Sequence, residues 1–143
     1  DVTGSIFTEE YYLKDKDVPI DIANTEYDIV SKILGPEWSL PTIEEWKELI
    51  KECKWEWISN PLIKGYLISG FTGEKIFLPM AGRRYGKDDI RYADDYGYYY
   101  SSERSETDER KAKYCFLHKD QIDVSGIYDY YVGRSIRGVK RSK

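Results

Sequence analysis

Cysteine, histidine and methionine are scarce in this 143-residue chain: two Cys, one His and one Met. With one histidine, His118, and no paired CxxC, a tetrahedral zinc centre lacks ligands, and a disulfide framework is limited to a single Cys53–Cys115 bridge. Spacing leaves open whether those two pair or stay as buried thiols. No GxxxxGK[ST] or GxGxxG loop is present to cradle a phosphate, and no GxSxG places a nucleophilic serine near His118. No run approaches the roughly 20 apolar residues that span a bilayer. The sequence opens at Asp1 with no leader, as expected of a mature chain whose signal has been removed. No excess of basic charge exists to draw nucleic acid: 22 Lys and Arg stand against 26 Asp and Glu, net −4. The basic tail Arg134, Arg137, Lys140, Arg141 and Lys143 reads as solvated.

The charged and apolar fractions, 34% and 41%, suit a folded domain, and the length suits one, with an irregular segment over 1–23. Within that segment Tyr11-Tyr12-Leu13 reads as a short strand. A first helix is expected over 25–34, with Thr25 as cap and Gly35-Pro36 as stop. A second begins at Thr42, where Thr42 and Glu45 form a capping box and Ile43, Trp46, Leu49, Ile50 and Cys53 make one apolar stripe. From residue 60 the pattern turns to short strands: 65–69 and 75–78 around a Gly70–Gly73 turn, 98–102, 114–118 and 121–124 across Lys119-Asp120, and 135–139. A long loop is expected over 82–96. Helices followed by strands give an α+β class.

Tyrosine is what the chain has in excess: 14 Tyr against 4 Phe, with 10 Tyr beyond residue 84. A purely apolar interior favours Phe, Leu and Ile, whereas Tyr suits a surface that is half wet. Any single Tyr is equally well a pleated-strand residue. On a strand, Tyr98 and Tyr100 share one face and Tyr99 takes the other. Rings beside a few fixed polar groups make a contact surface for a sugar or a protein. The residues expected to carry it are Tyr92, Tyr96, Tyr99, Arg104, Tyr128, Asp129, Tyr130 and Tyr131. The acidic pairs Asp88-Asp89 and Asp94-Asp95 lack EF-hand spacing and read as solvated loop charges. No carboxylate pair can be picked out as acid and base, and no cofactor or metal is expected.

Several segments, in one order over about 24–140, resemble the Fibrobacter succinogenes major paralogous domain. They are Glu37-Trp38-Ser39-Leu40-Pro41-Thr42-Ile43-Glu44-Glu45-Trp46, Cys53-Lys54-Trp55-Glu56-Trp57 and Ile76-Phe77-Leu78-Pro79-Met80-Ala81-Gly82-Arg83-Arg84. Tyr96-Gly97-Tyr98-Tyr99-Tyr100-Ser101-Ser102 and Gly133-Arg134-Ser135-Ile136-Arg137-Gly138-Val139 complete the set. The chain departs from that pattern at Tyr100, where the family usually has Trp, and at Gly138, where it often has Pro. The resemblance implies a C-type-lectin-like fold with two N-terminal helices packed on short antiparallel strands, and export to a bacterial surface of the Bacteroidetes kind, for some members through a lipoprotein tether. It implies a core built on Trp38, Trp46, Trp55 and Trp57, and a buried or bridging structural role for Arg137. The expected function is therefore non-catalytic: binding of a glycan or of a host or bacterial surface protein. The rival is a structural subunit of an envelope assembly. A formylglycine-generating oxidase ranks last, because the C-terminal cysteine pair of those enzymes is missing here. The Glu-Pro-Asn and Trp-Asn-Asp motifs of calcium-dependent sugar binding are missing too.

Overall fold

A computed structural model describes residues 18–141, apart from Lys87, Glu109, Tyr130 and Tyr131. The strand read at 11–13 lies outside these residues. Helix α1 spans Ile29–Leu34 and helix α2 spans Ile43–Glu52. The first is shorter than expected because its cap is Asp28. That carboxylate accepts from the backbone N–H groups of Val30 and Ser31, while the Thr25 hydroxyl donates back to the Ile22 carbonyl at 2.7 Å. A carboxylate serves the unpaired N–H groups of a first turn better than a hydroxyl already engaged elsewhere. Gly35 ends the helix at φ +101°, in the region that glycine alone enters freely.

Helix α2 starts as its sequence dictates. Thr42 Oγ1 accepts from the Glu45 N–H at 3.1 Å and Glu45 Oε1 accepts from the Thr42 N–H at 3.0 Å, a complete capping box. Its apolar stripe buries Ile43 and Trp46, with Leu49 packed at the margin. The Trp46 indole N–H donates to the Tyr100 carbonyl at 3.3 Å, which fixes the helix against the sheet below it.

Strands β1 (Trp38–Ser39), β2 (Lys54–Ser59), β3 (Lys64–Ser69), β4 (Lys75–Pro79), β5 (Arg83–Tyr85), β6 (Asp89–Arg91), β7 (Gly97–Arg104), β8 (Lys111–His118), β9 (Gln121–Asp129) and β10 (Val139–Lys140) form small antiparallel sheets. Two are meanders, β2-β3-β4 and β7-β8-β9, one is the β5-β6 hairpin, and one is the β1-β10 pair. The class is thus mixed helix and antiparallel sheet. The Gly70–Gly73 and Lys119-Asp120 turns fall where the sequence puts them. Two expectations fail. The segment 82–96 holds the β5–β6 hairpin rather than an open loop. The run 135–139 is no continuous strand: Ser135 bridges Tyr99, and regular pairing resumes only at Val139.

The core joins α2 to both meanders through Trp46, Tyr66, Ile68, Leu78, Met80, Tyr99, Cys115 and Leu117. Trp55 and Trp57 on β2 pack edge-on against Tyr66 at 5.5 and 5.3 Å between ring centroids. Only Trp46 of the four tryptophans is fully buried; Trp38, Trp55 and Trp57 lie partly covered at the margin. Cys53 and Cys115 are both free thiols. Arg137, expected to be buried or bridging, is exposed, which rules out the buried role. Arg141, expected to be solvated, is held by Glu45, Ser39 and Leu40. Among the described residues no helix is long and apolar enough to cross a membrane.

Candidate functional site

Alternation on β7 gives its sheet two different faces. Tyr99 points into the core beside Trp46 and donates its hydroxyl to the Pro79 carbonyl at 2.8 Å. Tyr98 and Tyr100 point the other way and pair across to Phe116 and Tyr114 of β8. On the third strand Gly126 lies opposite Tyr114, and a Cβ there would collide with that ring. Glycine at 126 therefore lets the Tyr114 ring lie flat over β9. The result is a second layer of rings on the face turned away from α2.

Two arginines are laid onto this layer by the backbone. β5 is tied to β7 at Gly82–Gly97. The segment after β9 is tied to β5 by an antiparallel bridge, Arg84 to Gly133, with both N–H···O distances at 2.7 Å. Antiparallel register then sets Arg83 opposite Arg134. The Arg83 guanidinium lies 5.1, 5.2, 5.0 and 4.8 Å from the ring centroids of Tyr85, Tyr92, Tyr98 and Tyr128. That of Arg134 lies 4.9, 4.8 and 5.9 Å from Tyr100, Tyr114 and Tyr128. Tyr128 is the ring the two cations share.

These cations are poorly satisfied. Nε of Arg83, and Nε and Nη1 of Arg134, are buried with no hydrogen-bond partner. Arg134 donates from Nη2 to the Asp129 carbonyl at 3.3 Å. Among the described residues neither guanidinium has a carboxylate within ion-pairing distance. Burying an unpaired cation costs several kcal/mol, and cation–π contacts at about 0.5–2 kcal/mol each offset part of it. Burial pushes Tyr85 up to about 12, helped by a hydrogen bond with Tyr128 and opposed by Arg83 and Arg91. Burial also raises Tyr98, with Arg83 pulling the other way.

The turn over 92–96 forms the outer rim. Tyr92 adopts φ +63° and is 42% exposed. Its ring meets Tyr96 edge-on at 5.4 Å, and Tyr96 continues to Phe116 and His118 at 5.3 and 5.2 Å. Gly82, at φ +67°, faces this turn so closely that a Cβ would strike the Arg91 carbonyl. Asp89 is bidentate to Arg91, and the Arg91 guanidinium lies 4.2 Å from the Tyr85 centroid.

Of the residues expected at a contact surface, Tyr92, Tyr96 and Tyr128 do come together. Tyr99 does not, being 3% exposed and part of the core. Arg104 is a strap: it donates to the carbonyls of Val18, Pro19 and Ser105, on the far end of β7. Asp129 is half-buried and enters through its backbone carbonyl. Tyr130 and Tyr131 lie outside the described residues. Arg83 and Arg134, the centre of the cluster, were not among the residues expected at the site. The signal for Arg83 was its place beside Gly82, and for Arg134 its place within the Tyr-rich segment 127–134.

His118 packs against Tyr96 at a tilt and uses its carbonyl to accept from the Tyr66 hydroxyl at 2.6 Å. Among the described residues no three His, Cys, Asp or Glu side chains group as a metal site. Compared with known proteins, the chain matches no family model, no curated protein and no solved structure.

Proposed function

We propose that this chain is a non-catalytic surface-binding module of C-type-lectin-like fold, which holds a glycan or protein ligand on the Tyr–Arg layer of the β7-β8-β9 sheet. The observation that carries this reading is the rim of exposed Tyr92 and half-buried Tyr96 seated on the ring-enclosed Arg83. Flat rings that are already packed lose little side-chain freedom on binding, and a fixed guanidinium supplies orientation. Support for the family assignment comes from the roles its motif residues take. Glu45 caps α2, Trp46 fills the core, Gly82 holds a left-handed backbone, and the 96–102 element builds the central strand. Export to a bacterial surface, and a tether there, belong to the same proposal.

A glycan array and a panel of host surface proteins, probed with the wild-type chain and with Tyr92→Ala, test the reading. Specific binding that falls about tenfold or more in the variant is the expected result. Binding that is unchanged in the variant removes this face as the contact site.

A further inference from the structure

We infer that the Arg83–Arg134 pair makes this surface a receptor for an anionic saccharide, whose carboxylate docks on the terminal amino groups of Arg83 while its ring packs on Tyr92. This rests on the binding-module reading above and narrows its ligand class.

Four observations lead to it. The Arg84–Gly133 bridge places two like charges opposite each other, a juxtaposition that is unfavourable between paired segments unless something compensates. No carboxylate compensates among the described residues, in a chain whose net charge is −4. Arg134 is 6% exposed and two of its nitrogens have no partner, so its charge is locked in place under the rings. Arg83 differs. Only its Nε is buried without a partner, and the residue as a whole is half-buried. Among the described residues its terminal amino groups carry no hydrogen bond, and neither is buried without a partner as Nε is.

A guanidinium fork fits a carboxylate in bidentate fashion, and rings stacked on its plane hold it in one orientation. Arg134 adds a second positive charge behind it, in surroundings screened less than bulk water. The other nearby cation, Arg91, is already neutralised by Asp89, which leaves Arg83 as the unpaired fork beside the Tyr92 rim. The displayed Tyr92 ring offers the apolar platform that a sugar ring needs beside its charged group. An acidic peptide would supply the charge but no flat partner for that ring.

Calorimetric titration of the wild-type chain with oligogalacturonate and sialyllactose, each beside its neutral methyl ester, tests the inference without any variant. The acids are expected to bind about tenfold or more tighter than their esters, and less tightly as salt rises. Arg83→Gln is expected to abolish that preference, and Arg83→Lys to keep part of it, with the melting temperature of each variant recorded to verify folding. Acid and ester bound equally well sink the anionic site but leave the binding module standing. No binding of any saccharide or surface protein sinks both. Poly-glutamate bound as tightly as the acidic sugars overturns the saccharide class, since charge alone would then suffice.

Discussion

Glu45 accepts from both terminal amino groups of Arg141, at 2.7 Å and 3.0 Å, while the same carboxylate caps α2 through the Thr42 N–H. Arg141 further donates to Ser39 Oγ at 2.6 Å, so one side chain ties the end of the described chain to β1 and to the start of the helix. A bidentate pair of this kind, about one third exposed on each side, contributes roughly 1–2 kcal/mol after screening. Arg141→Met is expected to lower the urea midpoint accordingly, and Glu45→Ala to cost more because the cap goes too. Glu45→Gln keeps an acceptor for the cap and falls between them. Equal midpoints for Arg141→Met and wild type would show the pair to be a solvated contact.

Asp28 is fully buried and serves four backbone N–H groups. Oδ1 accepts from Val30 at 2.9 Å and Ser31 at 3.4 Å; Oδ2 accepts from Asn24 at 2.9 Å and Leu40 at 3.1 Å. Asp28→Ala leaves those donors without acceptors and is expected to destabilise by roughly 2–4 kcal/mol. Asp28→Ser can still cap α1 but cannot reach Leu40, and should recover only part of the loss. Denaturant unfolding of the three proteins separates the helix cap from the long-range tie.

What could be read from the sequence was what is decided locally. The Thr42–Glu45 box, the Lys119-Asp120 turn and the alternation of Tyr98, Tyr99 and Tyr100 each depend on neighbours a few residues away. The first cap was misread because Thr25 and Asp28 are both good caps, and the choice falls to Asp28 through its long-range partner Leu40. The β5–β6 hairpin gave no alternating pattern, since β6 is exposed throughout. Its position depends on the distant partners Gly97 and Gly133. The Tyr excess marked the half of the chain that holds the ring layer, but not the two arginines those rings enclose. Arg83 and Arg134 become neighbours only when that same bridge closes.

Tyr92 and Tyr99, seven residues apart, should respond in opposite ways to substitution. Tyr92 sits on the rim, so Tyr92→Ala is expected to change stability by less than about 1 kcal/mol while weakening ligand binding. Tyr99→Phe keeps the packed ring but leaves the Pro79 carbonyl without its donor, a loss of roughly 1 kcal/mol, and Tyr99→Ala should cost about 3–5 kcal/mol. Neither Tyr99 variant should alter ligand preference while the protein stays folded. A large melting shift for Tyr92→Ala would mean that the rim is part of the structural core.

Cys115 makes the stability of the fold sensitive to alkali. The side chain is 0% exposed, and burial, with a lesser contribution from Asp123, pushes its thiol from 9.0 up to about 12. Above pH 9 the unfolded chain gives up this proton and the folded chain keeps it, so the native state binds more protons and stability must fall as pH rises. Below pH 9 both states hold the proton and the contribution is constant. Between pH 9 and 10 wild type is expected to lose up to about 1.4 kcal/mol per pH unit more than Cys115→Ala, because the linkage of the raised tyrosines Tyr85, Tyr98 and Tyr99 is common to both proteins. Urea unfolding of both proteins across that interval reads the difference. A thiol reagent applied to the native protein near neutral pH should label the half-buried Cys53 first and Cys115 only as the chain unfolds. Parallel slopes for the two proteins, together with early labelling of Cys115, would mean that water already reaches the thiol in the native state and that the core between α2 and β8 opens without global unfolding.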